Sequence, residues 1–157
     1  MKKFLRTLAV TVGIIFADQL TKLLIRVHYH FPGNGQTIFP GFFDLRYVQN
    51  PGAAWGMLAG KQVFLIVFSL VALAFIWIWF RHEVMPFVLG WLALGLLSGG
   101  IIGNLIDRVT LGYVVDFLDF YYKSHHFPAF NIADSSICIG IALLMISQWR
   151  ADRLKKT

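Results

Sequence analysis

Two runs without a charged residue, Gln62 to Phe80 and Val84 to Ile106, decide what this chain can become; they are 19 and 23 residues long. An α-helix rises 1.5 Å per residue and the hydrocarbon core of a bilayer is about 30 Å thick, so about 20 apolar residues cross it. Both runs meet that length alone. Ser135 to Trp149 adds 15 such residues, and Arg6 to Asp18 encloses 11. These two reach across only if the helix carries polar residues at one end. Charged residues make up 14% of the chain, against about 25% in soluble domains, too few to cover a surface in water. The expected fold is an all-α membrane protein, a bundle of four transmembrane helices forming one membrane domain over residues 1–157. The spans are predicted at about 7–27, 62–80, 85–107 and 132–149, with extracytoplasmic segments at about 28–60 and 110–130.

Met1-Lys2-Lys3 before an apolar run is how a cleavable signal peptide begins. No small-x-small site follows before Asp18, however, and the helical pattern continues through Lys22 and Arg26. A retained first span is expected. Lys2, Lys3, Arg6, Arg81, Arg150, Arg153, Lys155 and Lys156 fall on one side of a four-span chain. The other side holds Lys22, Arg26, Arg46, Lys61, Arg108 and Lys123, of which Lys22 and Arg108 belong to polar clusters. The bias places both termini in the cytoplasm. No basic patch is interleaved with exposed aromatics, so nucleic acid is not an expected partner.

Residues 28–60 are rich in turn formers: Phe31-Pro32-Gly33-Asn34-Gly35, Pro40-Gly41 and Pro51-Gly52. Between them Phe43-Asp44-Leu45-Arg46-Tyr47 alternates in the manner of a strand. A small extracytoplasmic antiparallel β-sheet resting on the membrane is expected. Tyr113, Phe117, Phe120, Tyr121 and Tyr122 suit an interfacial aromatic belt. Pro86 suits the first turn of the third span. Gly95, Gly99 and Gly103 form a small-xxx-small seam for helix packing, and Gly100 beside it could leave room for a substrate backbone. Cys138, the single cysteine, cannot form an internal disulfide and reads as a small buried hydrophobe.

Polar groups in a bilayer cost about 2.5–3.5 kcal/mol for Asp, Lys or Arg at a helix centre, so their positions carry information. Asp18 and Lys22 share a helix face at spacing four; a structural ion pair is the bland reading. Asn50-Pro51-Gly52-Ala53-Ala54-Trp55-Gly56 is either a tight surface turn with an interfacial Trp anchor or a backbone edge for an extended peptide. Asn104, Asp107 and Arg108 line one face, with Asp107 and Arg108 resembling a compensated structural pair. Asn131 and Asp134 fit a helix cap and its third-position acid. Asp116 differs: it lies among Val114, Val115, Phe117 and Leu118 with no adjacent base, where desolvation raises an acid's pKa. Asp116 and Asp134 are 18 residues apart across an external segment and can meet at the outer mouth of the bundle. Two close carboxylates share a proton and can activate water against a peptide carbonyl. Asn104, Asn131 and Arg108 are candidate oxyanion donors.

Other peptidase chemistries lack their patterns. There is no His-Glu-x-x-His run, and Ser98 has no Gly two residues before it. His28, His30, His82, His125 and His126 fall in loops or at helix ends, where a metal would bind only adventitiously.

Four blocks in order resemble the bacterial lipoprotein signal peptidase (signal peptidase II) family: Asp18-x-x-Thr21-Lys22; Asn50-x-Gly52-Ala53-Ala54-Trp55; Gly99-Gly100-x-x-Gly103-Asn104-x-x-Asp107-Arg108 with Gly112-Tyr113-Val114-Val115-Asp116-Phe117; and Phe130-Asn131-Ile132-Ala133-Asp134-Ser135. The resemblance implies a membrane aspartyl endopeptidase of the bacterial plasma (inner) membrane. Asp116 and Asp134 would be its catalytic dyad, supported by Asp18, Lys22, Asn50, Gly52, Asn104, Asp107, Arg108 and Asn131. It implies diacylglyceryl-modified prolipoprotein substrates, cleaved on the N-terminal side of the lipidated cysteine near the extracytoplasmic face. Substrate and membrane lipid would be the partners of a monomer, with no metal or organic cofactor. The rival readings are a small channel or transporter subunit, whose polar residues would spread through the membrane depth, and an assembly protein using the glycine seam, which leaves the unpaired acids unexplained.

Overall fold

The structure is a computed structural model describing residues 1–53 and 56–155. Ala54, Trp55 and Lys156, which the sequence reading placed in a motif, an interfacial anchor and the basic end, lie outside the described residues. Helix α1 spans Lys2–Tyr29, followed by strands β1 (Gly35–Phe39) and β2 (Phe43–Asn50). Helix α2 (Gln62–Trp79), the short α3 (Arg81–Val84) and α4 (Val88–Thr110) come next, then β3 (Val114–Tyr122), β4 (His125–His126) and α5 (Ile132–Lys155). Helices α1, α2, α4 and α5 are long and apolar enough to cross a membrane. They fall on the four predicted spans and fit a multi-pass membrane protein.

Helices α1 and α4 form a close seam. Thr7 Oγ1 donates to Trp91 O at 3.2 Å, Thr11 Oγ1 to Gly95 O at 3.2 Å and Gln19 Nε2 to Gly103 O at 3.1 Å, each pair 84 residues apart. A constant offset means the two helices run parallel. The seam needs the glycines: a Cβ on Gly95 would sit 2.8 Å from Val10 Cβ, and one on Gly99 would sit 2.7 Å from Ile14 Cβ. Small residues let backbones approach where no hydrophobic force drives helices together in lipid. Gly100 faces the other way, with Ala133 O and Ser136 Oγ against the place where its Cβ would be. It seats α5 on α4 and leaves no room for a substrate backbone there, contrary to the expectation.

Helix α2 is different, with Leu65 its one buried residue. Trp77 Nε1 donates to Ser98 Oγ at 2.9 Å and ties α2 to α4. Pro86 lies in the turn before α4 rather than in its first turn; Phe87, at φ −93° and ψ 150°, is the N-cap. The chain reverses over residues 85–87 so tightly that Gly90 packs on the Val84 carbonyl. Cys138 is exposed rather than buried, because the outward faces of the spans carry apolar side chains suited to lipid.

The strands form one antiparallel sheet in the order β1-β2-β3-β4. Strand β2 is the one its alternation predicts. Strand β3 escaped the period-two reading because its first four residues are all buried. Leu45 pairs with Leu118 and Val48 with Asp116, so β2 carries one extra residue, a bulge, beside Asp116. Tyr47, Val115, Phe117 and Ile25 make a core under the sheet. Phe117 therefore belongs to this core and not to an interfacial belt, whereas Tyr122 is 70% exposed. Asp119, unmarked in the sequence, is buried, with Arg46 Nη1 at 3.4 Å and His126 Nδ1 at 2.9 Å, and it staples β2, β3 and β4.

Candidate active site

Helix α4 stops where the site begins. Leu111 N donates to Asp107 O at 2.7 Å and Gly112 N to Arg108 O at 3.2 Å, with Gly112 at φ +79°. That left-handed cap suits glycine and swings the chain directly into β3, so Asp116 lies only four residues past it. Helix α5 begins with the reciprocal cap its sequence suggests: Asp134 N donates to Asn131 Oδ1 at 2.9 Å, and Asn131 N donates to Asp134 Oδ2 at 3.2 Å. The cap thus sets one oxygen of Asp134, and Asn104 Nδ2, donating at 2.7 Å, sets the other.

Asn131 is fully buried and also reaches β3. Its Nδ2 lies 2.7 Å from Asp116 Oδ1, 3.2 Å from Val115 O and 3.2 Å from Asn104 Oδ1. Asp116 Oδ2 accepts from Asn50 Nδ2 at 2.9 Å. Asp116 and Asp134 are therefore held through one shared residue, each by amides and neither in an ion pair among the described residues. Asp116 is 2% exposed. Burial first, and the nearby charge of Asp134 second, push its pKa up to about 7, against the opposing pull of the Asn50 and Asn131 hydrogen bonds.

Asp18, Lys22 and Asp107 behave otherwise. Lys22 Nζ lies 2.8 Å from Asp18 Oδ2, 3.0 Å from Asp107 Oδ2 and 2.9 Å from Asn104 Oδ1. The partner of Asp107 is therefore Lys22, not the adjacent Arg108, because the parallel seam brings α1 against that face of α4. The same carboxylates serve backbone ends: Ala133 N donates to Asp18 Oδ1 at 2.9 Å, and Val115 N donates to Asp107 Oδ2, the oxygen shared with Lys22, at 3.0 Å. One cluster thus fixes the start of α5 and the start of β3, the two elements that carry the candidate dyad. Gln19 was missed in the sequence, yet it bonds Asp107 Oδ1 at 2.9 Å and Asp18 Oδ2 at 3.2 Å. Its helical spacing of three from Lys22 was the available signal.

Asn50 closes the site from the sheet side. Its Oδ1 accepts from Gly52 N at 2.9 Å, and its Nδ2 donates to Ala53 O at 3.2 Å. Arg108 Nη2 donates to Gly52 O at 3.2 Å, and a Cβ on Gly52 would meet Gly56 C at 2.8 Å. The block is therefore a tight turn, and it holds the Asn50 amide on Asp116. Arg108 Nε is buried without a hydrogen-bond partner among the described residues. No group of three metal-ligating side chains occurs among the described residues, and His126 faces Asp119 instead.

A family model for signal peptidase (SPase) II matches residues 10–150. A lipoprotein signal peptidase of Syntrophotalea carbinolica is 44% identical over 96% of this chain and 94% of its own length. One from Bacillus pumilus is 46% identical over 85% of each. A solved bacterial membrane enzyme shares the fold with a TM-score of 0.84 and 34% identity, covering 92% of this chain and 88% of its own. On these likenesses, the chain belongs to the signal peptidase II family.

Proposed function

We infer that this protein is an aspartic-type endopeptidase that removes the signal peptide from diacylglyceryl-modified prolipoproteins, cutting on the N-terminal side of the lipidated cysteine. Asp116 and Asp134 are its catalytic dyad. The observation that carries this is the contrast among the acids: of those gathered at the ends of α1, α4 and α5, only these two lack a cation in contact among the described residues. With the Asp116 pKa pushed up to about 7, the pair keeps one proton across neutral pH. The ionised member takes a proton from water. The resulting hydroxide equivalent adds to the scissile carbonyl, and the neutral member supplies a proton to the developing oxyanion. The same two groups then return a proton to the leaving amine, so no covalent intermediate forms. Arg108, through its unpartnered Nε, is the donor for the oxyanion, while the amides of Asn104 and Asn131 hold the two carboxyl groups.

Asp18, Lys22 and Asp107 position these groups, and Asn50 and Gly52 hold the sheet edge against them. The basic residues flanking the spans orient both termini to the cytoplasm. The site then lies at the extracytoplasmic face of the plasma membrane, where a lipidated substrate arrives sideways from the bilayer. The test is cleavage of a lipid-modified prolipoprotein by Asp116→Asn and Asp134→Asn protein purified in folded form. Loss of activity in both is expected, and full activity in either removes that residue from the dyad.

A further inference from the structure

The opposite end of the bundle carries a second feature that peptide hydrolysis leaves unused. Phe4 is 14 residues from Asp18 along α1, roughly 21 Å at helical rise. Around it lie two adjoining hollows. One, of about 210 Å3, lies between α1, α2 and α4 and is walled by Leu8, Leu73, Trp77 and Ile102 together with Phe4. The hydroxyls on that wall are already engaged, Thr11 Oγ1 with Thr7 O at 3.0 Å and Ser98 Oγ with Trp77 Nε1 at 2.9 Å. The hollow therefore offers an occupant only apolar surface. The other, of about 510 Å3, opens at the bundle end and is bordered by Lys2, Lys3, Arg81 and His82. Phe4 borders both and packs edge-on against Trp77, with ring centroids 6.1 Å apart.

The apolar hollow exists because α2 leans on α4, tied by Trp77 to Ser98, and leaves a gap toward α1 that Leu73 and Trp77 line. Within a bilayer an apolar gap beside spanning helices is filled by hydrocarbon. A cationic recess beside it, with Phe4 bordering both, selects what that hydrocarbon is attached to, since basic pockets between transmembrane helices take anionic headgroups. We propose that this end of the protein is a binding site for an anionic phospholipid: the phosphate sits among Lys2, Lys3 and Arg81, and one acyl chain runs past Phe4 into the slot between α1 and α2. The bound lipid wedges α2 in place and contributes the packing that α2 lacks within the chain.

The test uses the full chain reconstituted in phosphatidylcholine with and without phosphatidylglycerol, followed by native mass spectrometry for retained lipid and by thermal unfolding. Wild type is expected to retain phosphatidylglycerol and to unfold at a higher temperature when it is present. Replacing Lys2, Lys3 and Arg81 by Gln should weaken retention about five-fold for each cation removed. Leu8→Trp, which fills the slot and leaves the cations in place, should also lose retention while prolipoprotein cleavage in phosphatidylcholine stays at the wild-type rate. Equal retention by wild type and both variants would overturn the proposal. So would a stabilisation reproduced by inorganic phosphate alone, since the recess would then be a free-anion site without a chain slot.

Discussion

Two groups of acids are gathered at the same end of the bundle, linked through Asn104 and Asn131, and they differ in one respect. Asp18 and Asp107 both touch Lys22, at 2.8 and 3.0 Å, while among the described residues Asp116 and Asp134 are met only by amides. A cation in contact holds a carboxylate ionised and fixes its geometry. An amide donor favours the anion as well, but at Asp116 burial outweighs it, which leaves the proton exchangeable near neutral pH. The first group therefore suits construction and the second suits chemistry, although all four residues are the same amino acid at similar depth.

The largest effect that tests this contrast is on turnover. Asp116→Asn should lower prolipoprotein cleavage by about 10²–10⁴-fold with unfolding in detergent unchanged, as read by a cleavage assay beside a thermal melt. Lys22→Met should do the reverse, leaving two buried carboxylates uncompensated and lowering stability by about 3–5 kcal/mol in a denaturant titration. Wild-type unfolding with lost cleavage in that variant would move Lys22 into the chemistry and dissolve the contrast. Gly99→Ala presses a methyl group against Ile14 and should cost about 1–3 kcal/mol in the same titration, because the Lys22 cluster depends on the α1–α4 seam. The smallest effect is on the pH profile. Wild-type cleavage should fall as pH rises through about 7, where Asp116 loses the proton it holds. The Asn50 hydrogen bond favours the ionised form, so Asn50→Ala should carry that alkaline limb to higher pH. A limb that stays put, or moves down, would show that another group sets it.

The spans were legible because hydrocarbon thickness imposes a length that few other constraints imitate. The Asp18–Lys22 pair and the Asn131–Asp134 cap were legible because their partners lie within one helical turn. The true partner of Asp107 was not, since it stands 85 residues away and depends on the register of the glycine seam. Strand β3 hid because Val114, Val115, Asp116 and Phe117 are buried together, which erases alternation. Asp119 hid for a similar reason: its compensation by Arg46 and His126 arises only when three strands are side by side. Gly100 was misread because the sequence shows that a position is small but not which neighbour fills the space.

The parallel pairing of α1 with α4 also has a consequence for biosynthesis. Lys22 enters the membrane with Asp18 on the same helix, but Asn104 follows 82 residues later. At about 5–20 residues per second that interval is roughly 4–16 s. During it the first helix carries an incompletely neutralised polar end, and the hydrolytic centre cannot yet exist. When the third crossing slides its glycines alongside the first, the newborn chain gains its structural keystone, and the Asp134 that leans on Asn104 follows 30 residues later with the fourth crossing.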